Sequence, residues 1–148
     1  MSLHEDAIPR PTGRFILDVN KDGRLIEHID DKNLVVNGSK FLLAQLIGGQ
    51  VANNSITQIG VGTNGTAPQA TDIALTSQFE KAIDSVSYPA SNQVQYNFSL
   101  ASGDANGVTI WEFGLLSAGG TLFARKVRSS GLSKNSTISL AGSWLITF

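Results

Sequence analysis

The sequence predicts a mostly-β fold, an antiparallel β-sandwich or partly closed barrel of about 7–9 strands with one short α-helix. Apolar and polar residues alternate over several short runs, as in strands with one buried face. Turn-forming residues separate these runs at intervals of about 8–12 residues. Only one segment has helical spacing, so strands and helices do not alternate as they do in a parallel α/β sheet.

The N-terminal part divides into an arm and a hairpin. Residues 1–12 contain Pro9 and Pro11 and few apolar side chains, so we expect a flexible arm, followed by a single β-rich domain over 13–148. Residues 14–29 form two apolar-rich runs separated by Asn-Lys-Asp-Gly. Because Gly23 tolerates a positive φ, this pattern predicts a leading β-hairpin.

One helix is predicted over 38–48. Asn37 or Ser39 can cap its first turn, and Gly48 follows its last apolar residue. Five apolar residues recur at helical spacing and predict a stripe that packs on a sheet, because so short a helix is not stable alone. They are Phe41, Leu42, Leu43, Leu46 and Ile47.

The rest of the chain reads as strands. The predicted strands are Ile56–Gly62, 79–86, 94–100, 108–116, 121–127 and 138–148. Trp144 has the same parity as Ile138, Leu140 and Ile146 in the last of these, so we expect it in the core.

Composition limits the function classes. The chain has 148 residues, 41% of them apolar and 16% charged, with a net charge of -1 and no cysteine. Disulfides and cysteine-based metal sites are excluded, and a near-neutral chain has no field to attract nucleic acid. No apolar run is long enough to span a bilayer and no leader is recognisable, so we expect a virion or bacterial cytoplasmic protein without membrane insertion. The cations Arg125, Lys126 and Arg128 alternate along a strand and are interpreted as a solvated edge.

A calcium site is the sharpest local match. Asp18, Asn20, Asp22 and Gly23 fit the first half of a calcium loop, in which oxygen ligands occupy alternate positions before a glycine. The closing carboxylate would fall on Ile29, which has no side-chain oxygen. A hairpin turn that uses the same residue types is therefore the favoured interpretation, and calcium is the alternative.

Other chemistry has little support in the sequence. Residues 60–65 read G-x-G-x-x-G, but no helix or βαβ unit follows, so a strand entering a tight loop is favoured over a nucleotide site. No catalytic residues are predicted, and no cofactor other than the calcium alternative. A dispersed Ser-His-acid triad stays open, because its members need not be adjacent in sequence.

Two aromatic residues are candidate interface or binding residues. Trp111 breaks the parity between Ile110 and Phe113, so it marks a bulge or projects into an interface. Tyr88 lies beside a predicted strand. Together with Tyr96 and Trp144 they could form a sugar-stacking platform, although a core position is favoured for Trp144.

Three segments together resemble a known kind of protein. They are residues 35–43 (VVNGSKFLL), 59–76 (IGVGTNGTAPQATDIALT) and 112–125 (EFGLLSAGGTLFAR). Their order is similar to that in small structural proteins encoded in phage and prophage tail regions, over roughly residues 34–148. The resemblance implies a virion component of the tail, baseplate or fibre, and it transfers no catalytic residue. Residues 14–29 fall outside the pattern.

We therefore expect a non-enzymatic structural protein that works by self-assembly. Its expected partners are copies of itself, with a trimer as one arrangement, and other phage structural proteins. The edge strands of the sheet and the N-terminal arm would supply the contacts. The alternative is a carbohydrate- or receptor-binding β-sandwich module that uses Tyr88 or Trp111. An enzyme of unrecognised type is a third and weaker hypothesis.

Overall fold

The computed structural model describes residues 10–148 and shows a single antiparallel sheet of nine strands with one helix, which confirms the predicted mostly-β fold. The strand order is β4-β3-β7-β8-β2-β1-β9-β6-β5. The elements are β1 Thr12–Lys21, β2 Arg24–Val35, α1 Gly38–Ile47, β3 Ile56–Gly62, β4 Phe79–Ala82, β5 Ser85–Ser87, β6 Gln93–Leu100, β7 Thr109–Ser117, β8 Leu122–Ser133 and β9 Ile138–Thr147.

The sheet curls because two segments change partners along their length. Most of β2 pairs with β1, but its last two residues, Leu34 and Val35, pair with β8. The predicted strand over 79–86 is two strands, of which β4 pairs with β3 and β5 pairs with β6. Between them the Ile83 amide donates to the Thr57 carbonyl and the Asp84 amide to the Asn97 carbonyl. The two ends of the strand order are thus consecutive in the chain, and the sheet bends around a common interior.

Aromatic rings fill the centre of that interior. Phe15 stacks on Phe98 with ring centroids 5.8 Å apart, and it meets the edge of Trp144 at 4.9 Å. Phe113 approaches Phe15 from the opposite half of the curled sheet at 5.0 Å. Trp144 is fully buried, so its predicted core position is confirmed. Each such pair contributes about 0.5–1.5 kcal/mol beyond the burial of its surface.

The leading hairpin is confirmed and is longer than predicted. Its turn consists of Asp22 and Gly23, both at positive φ, while the preceding Asn-Lys pair belongs to β1. Strand β1 lies between β2 and β9, and Phe15, Leu17 and Val19 on its inner face are fully buried. The segment outside the resemblance is therefore a central part of the fold.

The helix forms where predicted and packs on the sheet with part of its apolar stripe. Asn37 is the N-cap residue, although its side chain makes no capping hydrogen bond. Leu42 is buried in the core and the half-buried Leu43 packs against it, as predicted. The two ends of the stripe differ from the prediction, because Phe41 is 55% and Ile47 88% exposed.

The described residues bear on only part of the predicted N-terminal arm. Residues 1–9 lie outside the described range. Strand β1 begins at Thr12, the last residue assigned to the arm, so the β-rich domain starts one residue earlier than predicted.

Candidate functional site

A buried ion pair connects the two strands β7 and β8 on the outer face of the sheet. The Arg125 Nε donates to Glu112 Oε1 at 2.9 Å, and their side chains are 2% and 0% exposed. A charge removed from water is costly unless every oxygen and N–H finds a partner. Both groups meet that requirement through the loop 63–78, which crosses this face.

Glu112 holds the two ends of the loop. Its Oε2 accepts hydrogen bonds from the Asn64 amide at 2.8 Å and from the Thr76 amide at 3.0 Å. The two amides are twelve positions apart in the chain, so a single carboxylate oxygen closes the loop at its base.

Arg125 holds the interior of the same loop. Its Nη1 donates to the Thr66 carbonyl and to Asp72 Oδ2, each at 3.0 Å, and its Nη2 donates to the Asn64 carbonyl at 2.9 Å. Asp72 Oδ2 also accepts from the Gln69 amide at 2.8 Å. We call Asp72, Glu112 and Arg125 the clasp, because they fasten the loop onto the sheet through charged hydrogen bonds.

Glycines make room for the loop on the strands below it. An added Cβ at Gly62 would lie 2.6 Å from Glu112 Oε2 and 2.7 Å from the Thr76 carbonyl oxygen. At Gly60 and Gly114 an added Cβ would lie 2.8 Å from Leu116 and Leu122 respectively, which belong to a small buried cluster with Leu75 of the loop. The predicted tight loop is therefore correct, and the glycines permit its close packing on the strands.

The interpretation of the basic trio as a solvated edge is wrong. Arg125 and Arg128 are buried, and the side chain of Lys126 is 12% exposed. Lys126 Nζ bonds Asp31 at 2.7 Å and Arg128 Nη2 bonds Glu27 at 2.9 Å. Both pairs span from β8 to β2 where these strands are not paired. The cations join the two halves of the curled sheet, which their spacing in the sequence does not indicate.

Trp111 lies where the pairing of β7 with β8 is irregular. The register shifts between Ile110 and Glu112, which pair with Leu132 and Val127, so the extra residues lie on β8 rather than at Trp111. An added Cβ at either Gly65 or Gly131 would lie 2.8 Å from the indole ring, which therefore packs between the loop and strand β8. Trp111 is partly exposed, and its role as an interface residue stays a prediction.

Tyr88 lies elsewhere, in a groove between α1 and strands β5 and β6. The groove has a volume of about 720 Å³, and we call it the aromatic groove. Tyr88 is 76% exposed at its rim, Tyr96 lies deeper, and Phe123 and Phe148 complete the aromatic lining. Burial raises the pKa of the Tyr96 hydroxyl to about 12, with a further contribution from the neighbouring Tyr88. Of the four residues that could form a sugar-stacking platform, Tyr88 and Tyr96 line the groove. Trp111 and Trp144 do not.

A second groove, of about 810 Å³, lies on the other side of α1, between the helix and the paired strands β1 and β2. Its lining includes the exposed ion pair between Arg14 and Asp30, in which two hydrogen bonds of 2.8 and 2.6 Å hold the pKa of the Asp30 carboxyl below its usual value. Leu43 borders both grooves. The lining of this second groove thus contains an ion pair, whereas the described residues that line the aromatic groove include no charged side chain.

The calcium candidates form part of a regular hairpin. Asp18 Oδ1 lies 2.5 Å from Nδ1 of His28, its cross-strand partner, and Asp22 sits in the turn at φ 52°. Within residues 10–148 no three His, Asp or Glu side chains form a group that could hold a metal ion. Calcium at Asp18, Asn20 and Asp22 stays a prediction.

The clasp was missed at the sequence level. A signal was present for Glu112, which stands inside an otherwise apolar strand segment. A charge at such a position indicates a buried group with a partner. Arg125 gave a weaker signal, because Lys126 and Arg128 follow it in the sequence. Asp72 carried no comparable signal, because it lies in a polar loop.

Between residues 10 and 148 no helix is long and apolar enough to cross a membrane. The chain matches no protein-family model, no curated protein and no solved structure.

Proposed function

We propose that this protein is a non-enzymatic structural component of a phage or prophage particle, in the tail, baseplate or fibre, and that it works by self-assembly. The observation that carries the proposal is the exposed apolar surface of α1 and the turn after it. We call Phe41, Ile47 and Val51 the helix surface. Their side chains are 55%, 88% and 60% exposed.

The helix surface is unusual for a free subunit. A short helix normally gains its stability by burying an apolar face, yet α1 buries only one large apolar side chain, Leu42. The three exposed side chains lie within one short segment of the chain, and exposed apolar surface of this kind marks interaction sites in soluble proteins. A second copy of the chain is the proposed cover, because packing of the same surface against itself suits closed symmetric assemblies.

The charged groups support a structural rather than a catalytic role. Seven ion pairs within residues 10–148 connect strands to each other or to loops. The acidic side chains that make no ion pair with another residue of this range are Asp22, Glu80 and Asp84, and they lie on separate elements. Charges that fasten the fold in this way suit a rigid building block.

The test is the mass of the protein in solution over a concentration series, measured by light scattering and sedimentation. We expect a stable oligomer of the 15.7 kDa chain. The variant Ile47→Asp should dissociate it, whereas Leu25→Asp should not, because Leu25 is similarly apolar and 59% exposed but lies at the far hairpin. A strict monomer at high protein concentration would contradict self-assembly, and so would equal effects of the two variants.

The place of the protein in a virion has its own test. Mass spectrometry of purified particles induced from the host should detect the chain at a stoichiometry above trace, and its gene should lie among tail genes. Presence of the chain only in the bacterial cytoplasm, with no particle fraction, would contradict the virion assignment while leaving self-assembly intact.

A further inference from the structure

The lining of the aromatic groove has a chemistry that is separate from the helix surface. Among residues 10–148, the fifteen that line it include no acidic or basic side chain. Four are aromatic, namely Tyr88, Tyr96, Phe123 and Phe148. Its volume of about 720 Å³ falls within the range of roughly 300–1,000 Å³ that is typical of small-molecule sites.

The polar groups of the groove are amides that are already anchored through their nitrogen. Asn92 Nδ2 donates to the main-chain oxygen of Phe148 at 3.0 Å, and Gln93 Nε2 donates to Thr147 Oγ1 at 3.2 Å. Asn54 Nδ2 donates to the Gln50 carbonyl at 2.9 Å. Each anchored amide leaves its oxygen as an acceptor, so the groove offers several acceptors on a rigid frame.

The tyrosines add rings and hydroxyls to this set. Tyr88 presents its ring at the rim, where it is 76% exposed, and Val86 beside it is 45% exposed. The Tyr96 hydroxyl is held deeper, and its raised pKa of about 12 comes from burial and from Tyr88 rather than from a hydrogen bond. This hydroxyl stays protonated at neutral pH and is therefore a donor as well as an acceptor.

We propose that the aromatic groove is a binding site for a neutral saccharide. The ligand must bring hydroxyl donors for the anchored amide oxygens, an apolar face for the aromatic rings and no charge, because a charged group would be desolvated among residues that cannot pair with it. A sugar ring with its hydroxyl rim and its C–H face meets all three requirements. This site goes beyond self-assembly and does not depend on it.

The test is saturation-transfer NMR with millimolar neutral trisaccharides of glucose, galactose, mannose or N-acetylglucosamine, followed by calorimetry on any binder. At least one neutral trisaccharide should bind. Tyr88→Ala should lower its affinity about tenfold or more, because it removes the exposed stacking ring; a tenfold loss corresponds to about 1.4 kcal/mol. Tyr88→Phe should retain most of the affinity because the ring is kept.

Controls separate this proposal from the proposed function. Tyr88 is largely exposed, so Tyr88→Ala should melt within a few degrees of the parent and keep its solution mass. Ile47→Asp should keep saccharide binding even as it dissociates the oligomer. The proposal is overturned by absence of binding across the panel, or by binding that Tyr88→Ala leaves unchanged. It is also overturned if Tyr88→Ala dissociates the oligomer, because the groove is then a protein interface.

Discussion

Replacing Glu112 by Gln tests whether the clasp holds the loop 63–78 in place. The carboxylate accepts three hydrogen bonds, from the side chain of Arg125 and from the amides of Asn64 and Thr76. An amide of the same shape has one oxygen and an NH2 group, which cannot accept. Either the guanidinium or the two loop amides must then face a donor.

The expected cost follows from the burial of the pair. Glu112 and Arg125 are 0% and 2% exposed, so solvent does not screen the loss. Removing one partner of a buried pair costs roughly 3–5 kcal/mol, because the other charge stays buried. Asp72 still pairs with the arginine at 3.0 Å, so we expect the lower end, about 3 kcal/mol.

The assay is urea unfolding followed by tryptophan fluorescence, since Trp144 is in the core. With an m-value of about 2 kcal/mol per molar urea, the midpoint should fall by about 1.5 M. Amide exchange supplies a local readout, because the Asn64 and Thr76 amides should lose protection first. Glu80→Gln is the matched control, since that carboxylate is exposed and should change stability by less than about 0.5 kcal/mol.

A double-mutant cycle measures the interaction free energy between Glu112 and Arg125 separately from the effect of changing either residue alone. Arg125→Met alone should also cost about 3 kcal/mol, while the double variant should cost less than the sum, with a coupling of about 1–3 kcal/mol. If Glu112→Gln costs no more than Glu80→Gln, or if the two losses add, the clasp does not fasten the loop and the reasoning from burial is refuted.

Three further predictions concern packing, pH and calcium. Gly62→Ala should lower the free energy of unfolding in urea by about 1–3 kcal/mol, because the added Cβ meets the loop. Gly103→Ala serves as the control, since a Cβ there meets nothing within 4 Å. Equal effects of the two variants would contradict the packing argument. Hydrogen bonds from Lys81 and from a backbone amide lower the pKa of Asp104 below its ordinary 3.8, so its stabilisation is complete above that pH and is lost as pH falls below it. The variant Asp104→Asn should therefore be less stable at pH 7 but flatter in its acid decline, and a parallel decline would refute the assignment. Millimolar calcium should leave the melting temperature unchanged, because Asp18 is engaged across the hairpin; a rise that Asp18→Asn abolishes would establish the calcium site.

Strand positions were accessible from the sequence because the two-residue period of a strand is a local property. Strand β3 has the predicted bounds, Ile56–Gly62, and the buried positions of β9 follow the parity of Trp144. The glycine-rich segment after β3 was also correctly predicted as a loop, and one broken alternation at Trp111 indicated the irregular pairing of β7 with β8.

The tertiary structure decided which partners the charged residues have and which helical residues are covered. Arg125 and Lys126 look alike in the sequence, yet one fastens a loop and the other joins β8 to β2. The difference depends on which surface is covered by a segment some fifty or more positions away, and no local pattern records that. The helix surface is the converse case, because helical spacing shows which residues share a side but not whether anything covers it.

The sequence by itself thus determined the secondary structure, the aromatic core position and the absence of cysteine chemistry, since these depend on side-chain type and spacing alone. Only the tertiary structure decided the curl of the sheet, the clasp and the aromatic groove. These arise where β2 and the segment 79–87 change partners and where a loop folds back on β7. Such contacts depend on the energy of burying particular groups against distant ones, so they exist only once the chain has closed on itself.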